Sequence, residues 1–473
     1  MNSKAFGSSV ANQENVAYVL RKASRLAVLT ALVAASMVGC GGGGDDPAPT
    51  KDYLLASGRW DNTVVVIDVE KAIDPANDGT PNAVINRLRV TPDVDANGTG
   101  KLDTPASGQP INVVIAPDNR RAYVVNHSGR ATPAQAASFQ HGWPGLIAVV
   151  DLTKALDPAN NGTLNAVEAY IDPQNYGATG FAISPDQKYA AHASSEGPGT
   201  EDGARYLSII DLTRNMVVRQ VELAFGNPGF PCPPTPIPRA GPDPFFGCFT
   251  ATNGVTISPL GGGTIFTANG GTNDVSVISL QSAIGGQAGA ELGRIPTGTG
   301  GFGISTSPDG KLVAVAAREN QATGKEGNTI SLIDVEKALL DPARGEVARV
   351  TLGTDDPLVA TRPFVAAFTP DGKRIVVTHF RTNNISIVDV DKALAGQPSE
   401  LRRIALVSPG GQPSRPRGVA FTSDGRHVAI TGVPRGTPSS GVVWLINLDS
   451  YAVVSRVTQV GNESYFIGKF QGK

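Results

Sequence analysis

Arginine recurs where the chain must reverse direction, and this is the pattern richest in chemical content. Arg59, Arg130, Arg318, Arg381 and Arg435 follow runs that read as second strands of a repeat, while Arg362, Arg415 and Arg417 precede runs that read as first strands. In antiparallel repeats these two loop classes open on one face, so the eight guanidinium groups are expected along one rim. A guanidinium fork matches carboxylate or phosphate. With a formal net charge of only −2, such a rim would be a local excess able to draw in an anionic ligand. Glu196, Glu201, Asp202, Glu319 and Glu326 fall in the same loop class, so a solvated rim of mixed charge is the plainer expectation. The near-neutral total gives no reason to expect nucleic acid, which calls for a basic surface.

Calcium is the second chemistry to weigh. DVDANGTGKLD places Asp93, Asp95, Asn97 and Thr99 at alternate positions, with Asp103 near the end and Gly98 allowing a sharp turn. Hard cations want such an oxygen array. The run departs from an EF-hand loop because its twelfth position is Thr104, so Asx-type turns are the competing reading, here and in DPANDGT and DPANNGT. His127 and His379 share a repeat position at the end of a second strand. Two imidazoles at one mouth would suit copper or zinc, but their repeats are not adjacent and polar loop residues are the simpler expectation. His141, His192 and His427 read as surface or strand residues. CxxCH, P-loop, GxSxG and HExxH motifs are missing from the sequence, so no catalytic residue is assigned.

The chain has three cysteines. Cys232 and Cys248 bracket the Pro-rich PCPPTPIPRAGPDPFFGC and are expected to form a disulfide in an oxidising compartment. Closing a loop of that length is worth about 3 kcal/mol in the chain-entropy model. A zinc site is the rival, but two Cys without a nearby His make a poor ligand set.

These residues must be held by a repeat. The 55 Gly and 35 Pro among 473 residues, with 17% charged, suit short strands joined by tight turns. One line of repetition reads IAPD (115–118), ISPD (183–186), TSPDG (306–310), FTPDG (368–372) and FTSDG (421–425), with a worn ISPL at 257–260. Pro presets φ and Gly accepts positive φ, so each copy joins a first strand to a second. A second line has seven copies: VVVIDV, IAVVDL, LSIIDL, VSVISL, ISLIDV, ISIVDV and VVWLINL. Seven four-stranded units that bury their faces only against neighbours predict an all-β, seven-bladed β-propeller over residues 53–473. The chain starts with a second and third strand, whereas 462–470 is a surplus strand after the last unit. That surplus is expected to complete the first blade and remove the open edges.

The runs IAPD…RAYVVN…IAVVDL and FTPDGKRIVVTH…NNISIVDVDKAL resemble the YVTN-repeat β-propellers of the periplasmic YncE-like kind. The resemblance spans residues 53–470, and implies fold more than function, since related repeats occur in binding proteins, lactonases and dehydrogenase subunits. The function expected is a binding or assembly scaffold for a protein or anionic small molecule. The alternative is an envelope enzyme, lactonase-like or oxidoreductase-associated.

Residues 1–40 read as an address. Arg21, Lys22 and Arg25 precede an apolar run, Leu26–Ala35, and then Ser-Met-Val-Gly-Cys. Ten apolar residues are too few to span a bilayer. Gly39-Cys40 resembles a bacterial lipobox, with Met37 where Leu is usual, so Cys40 is the expected lipidation site. Residues 41–52, Gly-rich and polar, read as a flexible tether. Gly41 after the cysteine resembles lipoproteins sorted to the outer membrane, facing the periplasm or the cell surface.

Overall fold

The repeated turns close by one set of bonds. Ser307 Oγ donates to Asp309 Oδ1 (2.6 Å), the same oxygen accepts from Lys311 N (3.1 Å), and Gly310 takes φ +77°. Thr369 with Asp371, Thr422 with Asp424 and Ser184 with Asp186 repeat the arrangement. In the worn copy Leu260 replaces the aspartate, and a 3₁₀ turn, Leu260–Gly262, takes over.

The structure is a computed structural model that describes residues 50–137, 143–196, 205–226, 232, 248–320, 323–354, 356, 358–432 and 440–473. The leader and residues 41–49 of the tether lie outside these. Seven four-stranded antiparallel sheets stand in a ring, forming a seven-bladed β-propeller. The first strands are innermost and abut one another. Those used below are Pro110–Ile115 (blade 2), Tyr176–Ile183 (blade 3), Thr252–Ser258 (blade 4), Gly301–Thr306 (blade 5), Pro363–Phe368 (blade 6) and Val419–Phe421 (blade 7).

The C-terminal strand Ser464–Gly472 is the innermost strand of blade 1 and pairs antiparallel with Lys51–Gly58, placing Tyr53 opposite Phe470. Their rings stack at 5.5 Å. The closing strand starts two residues later than the sequence suggests, and blade 1 begins at Lys51, inside the span read as tether. Asp52 is already bound there, its carboxylate accepting from Ser423 N (2.6 Å) and Ser423 Oγ (2.7 Å) in blade 7.

Seven buried apolar clusters fill the seven joints between blades. The period of two explains why one strand serves two joints. Val64 and Val66 of blade 1 pack toward blade 2, and Val65 and Ile67 toward blade 7. Between third and fourth strands, Asp68, Asp151, Asp334 and Asp389 N-cap single helical turns, an addition that strand periodicity does not announce. Asp74 and Asp157 cap the 3₁₀ turns of DPANDGT and DPANNGT, as Asx-type turns should. Cys232 and Cys248 are joined as a disulfide, their Cα atoms 5.7 Å apart, in the connection from blade 3 to blade 4.

Candidate functional site: the channel mouth

The loops at the mouth are tied to neighbouring blades through main-chain and hydroxyl bonds. Thr378 Oγ1, in the second strand of blade 6, accepts from Val365 N (3.1 Å) and donates to Arg417 O (2.8 Å) before blade 7. Arg417 N donates to Thr431 O (2.8 Å), and Thr431 Oγ1 donates to Tyr465 O (2.5 Å) in the closing strand. Arg362 and Arg415 take φ +50° and +45°, left-handed backbone that costs a non-glycine residue about 1–2 kcal/mol. Arg362 N to Gly327 O (3.0 Å) and Arg415 N to Asn383 Oδ1 (3.1 Å) hold them there.

Arg318, Arg362, Arg415 and Arg417 converge on one ring. Their guanidinium carbons lie 5.4, 5.4, 5.3 and 5.2 Å from the centroid of Phe380. Arg417 also lies 4.0 Å over Tyr465, and Arg318 lies 4.5 Å over Phe302. Phe364, fully buried, sits beneath, 4.4 Å from Phe302 and 5.7 Å from Tyr465. Cation–π contacts of this kind strengthen as water is excluded.

Three carboxylates serve the cluster. Glu463 accepts from Arg417 Nη2 (2.7 Å) and from Trp60 Nε1, with Arg59 at 3.8 Å. Glu326 accepts from Arg362 (3.2 Å) and Arg381 (2.7 Å), and Glu319 pairs with Arg362 and, at 3.8 Å, with Arg318. Arg59 additionally donates to Gln109 Oε1 (2.9 Å) and reaches the Tyr465 hydroxyl at 3.4 Å.

The electrostatics are those of a cationic pocket. Burial works to raise Glu463, yet Arg417 and Arg59 outweigh it and hold the carboxyl below its usual range. Burial likewise works to raise Tyr465, and Arg417 and Arg59 draw its phenol below the ordinary value. Burial, helped by Arg318, Arg381 and Arg415, lowers Arg362 to about 10. Arg417 is 2% exposed, and its Nε and Nη1, with Nε of Arg318 and Arg362, are buried without acceptors. An unmatched buried donor on a charged group is expensive.

Below the mouth, Phe302, Tyr465 and Phe466 join Phe181, Val255 and Ile304 around a cavity of about 170 Å³ in the channel. Side chains of the innermost strands knit its wall. Asn112 donates to Thr179 O (3.1 Å), Thr179 to Thr252 O (3.2 Å), and Asn253 to Gly301 O (3.3 Å), each crossing to the next blade.

Six of the eight arginines read from the sequence therefore gather, though not all as a solvated rim: Arg318 and Arg417 pack over Phe302 and Tyr465, which the innermost strands carry. Arg130 is elsewhere, exposed beside Trp143 and Asp172 at a separate cavity of about 380 Å³. Arg435, Glu201, Asp202 and His141 lie outside the described residues. The calcium-type run folds as a hairpin, Asp93–Val94 against Thr104–Pro105. Asp95 accepts from Thr99 N (2.9 Å) and Gly100 N (2.6 Å), and Asp93 is drawn to Arg89 at 2.5 Å. Asp103 Oδ1 accepts from the Thr104 hydroxyl at 3.3 Å. Asn97 and Thr99 lie within the turn itself, so turn geometry accounts for the spacing. No group of three or more His, Cys, Asp or Glu suited to a metal occurs among the described residues.

The histidine pair separates too. His127 faces Ala178 O (3.1 Å) and Glu196 Oε1 (3.2 Å), whereas His379 is fully buried with neither ring nitrogen bonded. His192, read as a surface or strand residue, lies in a strand and is fully buried. His427 is partly buried, with Nδ1 2.8 Å from Asp424 Oδ2.

Sequence reasoning missed the aromatic residues and Glu463. A signal existed, since Phe302, Phe364 and Tyr465 are each the second residue of an innermost strand.

No protein-family model matches the sequence, and no curated protein matches it. Solved structures do. The periplasmic gluconolactonase of Pseudomonas aeruginosa aligns with TM-score 0.58 and 16% identity over 89% of this chain and 99% of that one. A candidate 6-phosphogluconolactonase of Bacteroides fragilis aligns with TM-score 0.56 and 12% identity over 90% and 99%. A protein of unknown function from Desulfotomaculum acetoxidans gives 0.53 and 14% over 87% and 98%. The likeness is one of fold. The chain is a seven-bladed propeller.

Proposed function

We propose that the protein is an envelope-anchored propeller of the YVTN-repeat kind that binds an organic anion at the channel mouth. The observation that carries this reading is Arg417, almost fully buried with two guanidinium N–H groups lacking acceptors, in a cluster of arginines. A bound anion would supply the missing acceptors and stabilise the fold by mass action. The leader and Cys40 support an envelope address with the membrane as a partner. Thermal unfolding against a panel of carboxylates and phosphates tests the reading. A Tm that rises with one anion and less so in 0.5 M salt is expected, with the rise abolished in the Arg362→Ala, Arg415→Ala, Arg417→Ala triple variant. Equal Tm values throughout would remove it.

A second reading follows from two lactonase-named fold neighbours. In it, Glu463 acts as base toward water while Arg417 steadies the oxyanion of an opening sugar lactone. Hydrolysis of gluconolactone by the wild type, lost in Glu463→Gln, would favour it over simple binding.

A further inference from the structure

The charges at the mouth fall into two sets, distinguished by the carboxylates they share. Arg59 and Arg417 share Glu463. Arg318, Arg362 and Arg381 share Glu319 and Glu326. Arg415 set aside, which lies 5.3 Å from the Phe380 centroid, each set carries one guanidinium charge more than its own carboxylates cancel. The sets meet at one aromatic face, with Arg417 5.2 Å and Arg318 and Arg362 each 5.4 Å from its centroid. Any two of these three guanidinium carbons thus lie within about 11 Å. Unmatched buried donors occur in both sets, at Arg417 Nε and Nη1 and at Arg318 and Arg362 Nε.

Resting on the anion-binding reading, we propose that the ligand is a small dicarboxylate, one carboxylate to each arginine set, with its spacer against Phe380. A monoanion would cancel one surplus and leave the other desolvated. Phosphate, a compact ion, would concentrate both charges at one end. Fork contacts with N–O of about 2.8 Å, within that span, leave room for a spacer of about two to four methylenes.

Those donors are covered in this structure, so a ligand carboxylate reaches Arg362 only where an internal one shifts aside onto Arg381, its charge staying in the set. Glu326 is suited to yield: it bridges Arg362 to Arg381, the half-exposed arginine at the edge (side chain 50% exposed). Glu326 is an intramolecular stand-in for one ligand carboxylate, and the two compete.

The experiment is calorimetric titration at fixed ionic strength with succinate, glutarate and adipate, beside butyrate and inorganic phosphate. At least one dicarboxylate should bind ten-fold or more tighter than butyrate and phosphate. Glu326→Gln should tighten that dicarboxylate at least three-fold, and Arg381→Gln should weaken it at least five-fold, with thermal unfolding confirming that both variants fold. Dicarboxylates no tighter than butyrate or phosphate would overturn this inference and leave anion binding standing. No binding of any probe would overturn both. An unchanged affinity in Glu326→Gln would overturn the competition.

Discussion

The Arg417 guanidinium lies 4.0 Å over the ring of Tyr465 while its Nη2 donates to Glu463 Oε1 at 2.7 Å. One side chain leading into blade 7 thus grips the strand that closes blade 1. The site and the closure of the ring share these residues, so changes at the site should be read against fold stability.

Arg417→Met removes the main charge facing a largely buried carboxylate and should destabilise the protein by about 3 kcal/mol, in the range for breaking a buried pair. Arg417→Lys keeps charge but not the planar stack, and should fall between. The pH response follows from Glu463. Its folded value is depressed, so its stabilisation is present above the unfolded value and lost as pH falls through the folded one. Arg417→Met should move that loss to higher pH. Tm measured from pH 7 to 3 checks it, and curves of identical shape would count against the pair.

His192 and His379 are fully buried, and burial lowers them from 6.5 to about 4 and about 3. Each stays neutral in the fold while the unfolded chain takes up a proton below pH 6.5. The unfolded state binds more protons, so stability falls as pH drops from 6.5 toward the folded values. At pH 5 the loss is about 2 kcal/mol per histidine. His379→Leu should flatten the acid limb of the Tm profile, and a parallel profile would show that His379 does not titrate this way.

Deleting residues 462–473 removes the innermost strand of blade 1 and uncovers Tyr53 and Leu55. It also frees two sheet edges. Aggregation, or a Tm lower by well over 10 °C, is expected in light scattering and calorimetry. A deletion that melts with the parent would contradict closure by this strand.

The Cys232–Cys248 disulfide spans 16 residues within one connection between blades. Its loss should cost about 3 kcal/mol at most, and lower Tm by a few degrees while leaving the far-UV spectrum unchanged. Cys232→Ser provides the test, and global unfolding would assign the bond a larger role.

Cys40→Ser should move the protein from the detergent phase to the soluble periplasmic fraction, because the expected acyl chains supply its membrane affinity. Unchanged partitioning would exclude lipidation at Cys40.

Much of the fold was legible because its causes are local. A Pro-Asp-Gly turn closes through bonds two to five residues apart, such as Ser307 to Asp309 and Leu312 N to Ser307, so each copy announces itself. The unbroken apolar run in VVVIDV states that both faces are buried, and seven such strands with one strand surplus specify a closed ring. The disulfide was readable because one loop carries both cysteines. Surroundings added what spacing could not: the Asp95 carboxylate bonds within its own turn while Asp93 pairs with Arg89, and His379 ends a strand fully buried.

The amino-acid sequence alone determined the repeat, the blade count and the strand that closes the ring, since period and turn chemistry act over a few residues. Only the tertiary structure decided which arginines meet. Arg130 and Arg318 occupy equivalent loops, yet Arg318 turns inward over Phe302 while Arg130 stays outside. Glu463 and Tyr465 reach Arg59 only because ring closure brings residues about 400 positions apart into contact. Whether a guanidinium is a solvated rim charge or a buried donor depends on what other blades place above it. That is a property of the ring.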